Sequence, residues 1–482
     1  MGVLRHIVNS LKRDMLSSSR VILTLAANDP SMTTPPTEQT ISAPQEGRLR
    51  HRDVGVIALP IILSNSTVPL VGYVDTVVIG QQIGSAHLIG GVALAAVIFN
   101  NIYWIFGFLR MGTTGLTAQA VGARNVSEVA ANLLRALYVA GIAGVGLVLL
   151  QIPLILLFLW LMGGSEQVNT AIETYFHIRI WGAPAALANF ALIGWFIGLG
   201  RADVAFILQL VLNGVNIALA MLLVFVMQWG VTGVGWAALI SDVVAAGAGL
   251  WIAVGELKRR GAVIANAEVG NRQALHKMFN VNRDVVIRTA SFIVVTTFFA
   301  AQGARAGDLA LASNAVLLSI TLIFIFMLDG FAFAAETLVG QAVGSGRVDR
   351  YRDAIRISTM WGLGFALLFS ALLWFGGGTM IDFTTEDPAV RAAAREYLVW
   401  AAAIPIVGIW CYQLDGIFVG ATGTAQMRDT AIISMGVFLV AWSVLTPMFG
   451  NHGLWASMLV FYVARAVTLG WCLPGLEKRK FG

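Results

Sequence analysis

The sequence has little charge. Only 12% of its 482 residues are Asp, Glu, Lys or Arg, and 57% are hydrophobic, whereas a soluble domain carries roughly a quarter charged residues. A soluble fold of this length could not cover its surface with so few charges. Between residues 52 and 475 the chain has room for about twelve bilayer crossings of about 20 residues each. The apolar runs do not alternate as barrel strands do, so the sequence predicts an all-α integral membrane protein with twelve transmembrane helices.

Cysteine and histidine are also scarce. The two cysteines, Cys411 and Cys472, lie in apolar segments, and the six histidines are scattered. No group of these residues has the spacing of metal ligands or of a disulfide framework. No Walker motif is present, which argues against ATP as the energy source. We therefore expect no cofactor and no metal site. An enzyme would need a nucleophile with a base, and His177 is the only histidine well inside the helical region.

The net charge of +5 comes from basic residues in short loops between apolar runs. These residues fall on alternate loops and are most frequent between residues 258 and 283. Cytoplasmic loops of membrane proteins carry such an excess of Lys and Arg, so both termini are predicted to be cytoplasmic. We expect a multi-pass protein of the inner (plasma) membrane, and we expect no nucleic-acid partner.

Polar segments divide the chain into five regions. Residues 1–50 are predicted to be a disordered tail, because Ser, Thr and Pro cluster there. Residues 51–257 and 283–475 are the N-terminal and C-terminal six-helix lobes. Residues 258–282 form a cytoplasmic loop between the lobes, and residues 476–482 form a cytoplasmic tail. The helices are predicted near 54–80, 88–114, 128–162, 168–200, 203–228, 232–256, 284–304, 309–337, 352–381, 389–423, 426–448 and 452–475.

An internal repeat relates the two lobes. The string Gln119-Ala-Val-Gly122 recurs as Gln341-Ala-Val-Gly344, a displacement of 222 residues. A constant displacement across several helices indicates a duplicated unit. Six helices per copy give both copies the same orientation in the membrane, as in transporters with a cavity between two bundles. The same displacement relates Val168 to Val390, Tyr175 to Tyr397, Gly194 to Gly416 and Gly198 to Gly420. These glycines favour close helix packing.

Several ionisable residues interrupt the apolar runs. A carboxylate such as Asp75 costs about 2.5 to 3.5 kcal/mol in the middle of a membrane helix, so it is rarely incidental. Asp75 either takes part in ion coupling or cation binding, or it pairs with a neighbouring helix. In the second lobe, a buried network is predicted from Arg288, Asp329, Glu336 and Asp415, with either a structural role or a role in coupling.

Three intramembrane amides are candidates for the cavity. Asn189, Asn213 and Asn216 lie in predicted helices of the first lobe. Amides of this kind line polar cavities, but they also join transmembrane helices by hydrogen bonds. Both interpretations stay open at this point.

Three strings in the second lobe carry a family resemblance. They are Leu328-Asp-Gly-Phe-Ala-Phe-Ala-Ala-Glu336, Tyr412-Gln-Leu-Asp-Gly-Ile-Phe-Val-Gly-Ala-Thr422 and Asn282-Arg-Asp284. They resemble the DinF branch of the multidrug and toxic compound extrusion (MATE) transporters. The resemblance implies two lobes that rock around a cavity and export organic, often cationic, compounds in exchange for H⁺ or Na⁺.

The resemblance also assigns roles to residues. It implies that Asp75 couples transport to the ion, and Asp415 resembles a second coupling acid on the tenth helix. Asn216 matches the asparagine of an Asn-x-x-x-Asp pattern. Ala220 stands where many relatives carry the aspartate of that pattern, which puts a two-carboxylate proton site in question.

The leading hypothesis is therefore a secondary antiporter for small organic compounds, working as a monomer among membrane lipids. The alternative is a flippase for lipid-linked precursors, which belongs to the same wider superfamily. A flippase for anionic head groups should line its cavity with several Arg or Lys residues, and here Arg288 and Arg179 are the exceptions among acids and amides. A receptor or channel does not require two pseudo-symmetric halves.

Overall fold

A computed structural model describes residues 47–83, 86–162, 166–262 and 269–482, but not the side chains of residues 68–90, 93, 97, 161 and 162. The predicted tail therefore lies almost entirely outside the described residues. Within them, all regular structure is helical, as predicted. The α-helices are α1 (His51–Ile83), α2 (Ala86–Ile105), α3 (Phe108–Gly122), α4 (Val126–Leu149), α5 (Gln151–Met162), α6 (Glu166–Arg179), α7 (Ala183–Gly198), α8 (Ala202–Met221), α9 (Gly230–Arg259), α10 (Arg272–Arg305), α11 (Asp308–Gly344), α12 (Val348–Thr384), α13 (Pro388–Gly420) and α14 (Thr424–Phe481).

Ten helical segments of the described residues are long and apolar enough to cross a membrane. The last of them, α14, is two helices joined at Gly450, whose backbone leaves the helical region with φ 56° and ψ −131°. A positive φ is adopted at little cost only by glycine. The all-helical membrane architecture is thus confirmed, while the count of twelve spans stays a prediction.

The loop between the halves is shorter than predicted. Helix α10 begins at Arg272, well before the predicted start near residue 284. The side chain of Asn271 caps it by accepting hydrogen bonds from the backbone N–H groups of Gln273 at 3.0 Å and Ala274 at 3.3 Å. Because the first turns of α10 contain polar residues, a hydropathy criterion does not include them in the predicted helix. The predicted C-terminal tail likewise continues α14 as far as Phe481.

One predicted span, residues 168–200, is broken in the middle. Helix α6 ends at Arg179, a single 3₁₀ turn covers Ile180–Gly182, and α7 follows with Pro184 in its first turn. Proline has no N–H to donate, so it disfavours a continuous helix here. Helix α4 packs closely on this break, since a Cβ placed on Gly144 would lie 2.4 Å from the Cα of Pro184.

The repeat is visible in the packing of the two halves. In the first half, a Cβ on Gly194 of α7 would lie 2.4 Å from the carbonyl oxygen of Arg110 in α3. In the second half, a Cβ on Gly416 of α13 would lie 2.2 Å from the carbonyl oxygen of Ala332 in α11. The displacement of 222 residues relates Gly194 to Gly416 and also relates Arg110 to Ala332. Equivalent glycines therefore bring equivalent helices into backbone contact.

The two copies of the Gln-Ala-Val-Gly string also contact each other. A Cβ on Gly122 would lie 2.0 Å from the carbonyl oxygen of Gln341, and a Cβ on Gly344 would lie 2.0 Å from that of Gln119. The C-terminal ends of α3 and α11 thus meet backbone to backbone. Because the predicted cytoplasmic loops follow these helices, the halves are closed together at that end in this structure.

Candidate functional site

A buried carboxylate, Asp415, joins three helices of the second half. Its residue is 4% exposed. The Nη2 atom of Arg465 in α14 donates to both carboxylate oxygens, at 2.8 and 2.9 Å. Arg288 of α10 forms a second ion pair with the same carboxylate. Three helices, α10, α13 and α14, are therefore joined at one acidic group, and its two oxygens are both engaged by guanidinium groups.

Helix α11 adds two more acids to this region. Glu336, which is almost fully buried, has an oxygen 3.7 Å from Nη1 of Arg110. Arg110 belongs to α3 in the first half, and its guanidinium lies 3.8 Å from the ring centroid of Phe333. Asp329 is within electrostatic range of Arg110 and Arg288. Of the four residues expected to form a network, Arg288 and Asp415 form an ion pair, whereas Glu336 faces Arg110 of the first half; the role of the group stays a prediction.

This network places three arginines beside three acids. Taking charges out of water is expensive unless each charge has a partner, and removing one partner leaves the other uncompensated. The arrangement therefore explains how these charges are tolerated in the membrane. It leaves Asp415 with little capacity for an additional cation, so a coupling role for Asp415 stays an untested prediction.

The three predicted cavity amides have different surroundings. Asn189 of α7 donates to the backbone carbonyl of Asp242 in α9 at 3.0 Å. Asn213 of α8 donates to the hydroxyl of Thr67 in α1 at 2.8 Å. Both amides therefore join helices. Asn216 is 6% exposed, and its Oδ1 has no hydrogen-bond partner among the described residues, so it is the amide still available to a ligand or water.

The side chain of Asp75, the first predicted coupling residue, is not described by the structure. Asp75 is in α1, and its role stays a prediction. Ala220, the position where relatives carry aspartate, is fully buried and clusters with Leu223 and Ala237. An aspartate at 220 would therefore face an apolar contact between α8 and α9.

The halves are also joined by polar contacts near the Gln-Ala-Val-Gly strings. The Nε2 atom of Gln119 donates to the carbonyl of Gly420 at 2.8 Å and to the hydroxyl of Thr422 at 3.1 Å. Lys277 of α10 donates to the Oε1 atom of Gln119 at 3.2 Å. One amide of the first half thus contacts two elements of the second half. A cleft of about 260 Å³ opens beside Gln119 and Lys277.

Both halves of the chain match one protein family. The MatE family profile matches residues 60–222 and 285–445, one stretch in each half. The chain belongs to the MATE family. It is 38% identical over 417 residues to the DNA damage-inducible protein F of Escherichia coli (strain K12), covering 86% of this chain and 90% of that protein. This similarity places it in the DinF branch.

More distant MATE relatives agree. A probable multidrug resistance protein NorM of Xanthomonas axonopodis pv. citri is 25% identical over 450 residues, covering 87% of this chain and 93% of that protein. The solved outward-facing conformation of a multidrug resistance MATE family transporter of the MOP superfamily matches the fold with a TM-score of 0.81. It is 20% identical and covers 89% of this chain and 96% of that chain. This chain is thus a MATE family protein throughout both halves and a multi-pass protein of the inner membrane.

Three further charged residues of the helical bundle were not predicted from the sequence. They are Arg110 in α3, Asp242 in α9 and Arg465 in α14, and each lies in an apolar stretch. The criterion that singled out Asp75, a charge within an apolar run, would have found all three. Their proximity to one another or to known acids could not be read from the sequence, because it depends on which helices are neighbours.

Proposed function

We propose that this MATE chain is a secondary antiporter that exports organic, lipophilic and often cationic compounds in exchange for H⁺ or Na⁺. Its two halves alternate access to a cavity between them. The observation that carries the proposal is the reciprocal contact of Gly122 with Gln341 and of Gly344 with Gln119. Two equivalent halves closed together at one end of the molecule have the geometry that rocking between two open states requires.

The surroundings of Asp415 support ion coupling in the first half rather than in the second. Its carboxylate oxygens already accept hydrogen bonds from Arg465 and form an ion pair with Arg288. A Na⁺ ion would have to displace a guanidinium group or bind beside one. Asp75 is therefore the favoured coupling residue, and H⁺ is the favoured ion.

The structure contains arginines that could bind the head group required by the flippase alternative, but these arginines already face acids. Arg110, Arg288 and Arg465 all lie within the helical bundle, which would suit an anionic head group. Each of them already faces an acid, Glu336 or Asp415. An anionic lipid would have to compete with these fixed carboxylates, so the antiporter is favoured.

Transport into sealed vesicles tests the proposal. Purified protein is reconstituted, a pH gradient or a sodium gradient is imposed separately, and a fluorescent organic cation is followed. We expect uptake with the pH gradient, and none without a gradient. Uptake that depends only on sodium would reject H⁺ as the coupling ion. Movement of a fluorescent anionic lipid, with no cation movement under either gradient, would reject the antiporter in favour of the flippase.

A further inference from the structure

The break between α6 and α7 has a buried acid beside it. Asp242 of α9 is 7% exposed. Its Oδ2 atom would be 3.7 Å from a Cβ placed on Gly182, the last residue of the 3₁₀ turn. A carboxylate therefore lies against the point where a membrane helix is interrupted. Interrupted membrane helices are tolerated where the backbone lines a cavity or is buried in protein, and they are frequent at binding sites.

The groups around Asp242 form a polar and aromatic cluster. Arg179 and Tyr103 are within electrostatic range of its carboxylate, yet Asp242 makes no direct ion pair among the described residues. The guanidinium of Arg179 lies 5.0 Å from the ring centroid of Phe99 and also contacts Tyr175. Helices α7 and α8 bring the amides described above but no further ionisable group to this level.

An unsatisfied hydroxyl is a second, independent sign of a ligand site. Tyr103 of α2 is 8% exposed, and its hydroxyl has no hydrogen-bond partner among the described residues. A buried hydroxyl without a partner costs free energy, so it is expected to meet water or a bound group. The cluster thus combines an acid, a free hydroxyl and aromatic rings. This is the chemistry that binds organic cations.

We propose that Asp242 is a further cation-accepting carboxylate of the first half, which holds either a proton or the cationic group of the exported compound. The inference rests on the proposed function and adds a residue to it. The Tyr103 hydroxyl, which has no partner among the described residues, is available to water or to the bound group, and the charge of Arg179 lies within electrostatic range of the Asp242 carboxylate. Exchange of one cation for the other at a single acid makes binding of the compound release the proton.

Equilibrium binding tests this assignment without any gradient. Tetraphenylphosphonium, a permanent cation, is titrated into the detergent-solubilised full chain in weak buffer, and affinity and proton release are measured together. We expect Asp242→Asn to weaken binding by about tenfold or more and to release fewer protons per bound cation than the wild type. Asp203→Asn is the matched control, because Asp203 is an exposed acid paired with Arg201 at the start of α8.

Further variants separate a binding role from a folding role. Asp242→Glu should restore much of the proton release, and Tyr103→Phe should weaken binding while proton release persists. Unchanged affinity and proton release in a folded Asp242→Asn variant would overturn the assignment, as would equal losses in the Asp203→Asn control. If no gradient drives transport in vesicles but Asp242→Asn still abolishes cation-linked proton release, the proposed function fails and this assignment stands.

Discussion

Gly122 contacts the backbone of Gln341 so closely that any side chain at position 122 would collide with its carbonyl oxygen. The repeat generates the reciprocal contact of Gly344 with Gln119. Packed interfaces of this kind have discrete arrangements and do not deform continuously. The four residues therefore define one closed state of the two halves, at the end predicted to face the cytoplasm.

Enlarging Gly122 should disfavour this closed state. A Cβ at this position would lie 2.0 Å from the Gln341 oxygen, and overpacking of this sort costs roughly 1 to 3 kcal/mol. We expect Gly122→Val to shift the halves apart at this end and to slow transport. Cysteine labelling from the cytoplasmic side measures the opening. Gly141→Val is the control, since a Cβ on Gly141 meets nothing within 4 Å. Equal labelling of the two variants would contradict the account.

Loss of one member of the Arg465–Asp415 ion pair should destabilise the folded protein more than loss of both members. Removing one partner of a buried pair costs about 3 to 5 kcal/mol, because the other charge stays buried. We expect Arg465→Gln to lower the thermal stability of the purified protein, with Arg288 still paired to Asp415 and limiting the loss, and the double variant with Asp415→Asn to recover part of it. Additive losses in this double-mutant cycle would show that the two residues are not coupled.

The same pair predicts the response to sodium. Since guanidinium groups engage both Asp415 oxygens, replacing choline by sodium should leave the melting temperature unchanged. A bound ion would stabilise the folded state by mass action. A clear rise in melting temperature with sodium that disappears in Asp415→Asn would place a sodium site at this acid after all.

The contact of Arg110 with Glu336 joins the halves electrostatically. The pair is 3.7 Å apart and links α3 to α11. We expect Glu336→Gln to weaken the closed state by roughly 1 kcal/mol, a change of about fivefold in population. Spin-label distances between the halves measure this directly. As a comparison, Asp349→Asn removes an exposed pair within one half, and distances that change equally in both variants would argue against a role for Arg110.

Most of the fold could be predicted from the sequence for a simple reason. Length and hydropathy determine membrane helices, and a displacement of 222 residues is visible without coordinates. Two features of the fold could not be predicted from length and hydropathy. The start of α10 at Arg272 is polar, and the 3₁₀ turn at Ile180–Gly182 lies within a segment whose length suggested one continuous span. Both depend on capping or packing rather than on hydropathy.

The site was less predictable than the fold. Arg288, Asp329, Glu336 and Asp415 were grouped on the argument that buried charges must find partners, and within the group Arg288 and Asp415 form an ion pair. Their actual partners, Arg110 and Arg465, lie far away in sequence, and Arg110 comes from the other half. Pairing across helices is decided by helix order and rotation, and a single sequence contains neither.

Antiport requires that movement of the exported compound drive an ion in the opposite direction, and this can be measured in vesicles. Vesicles containing the wild-type protein and a trapped pH indicator are given a pH gradient, and an organic cation is then added. We expect protons to move in the direction opposite to the cation, and this proton movement to be lost in Asp75→Asn while cation binding is retained. Cation movement without proton or sodium movement in the wild type would contradict antiport.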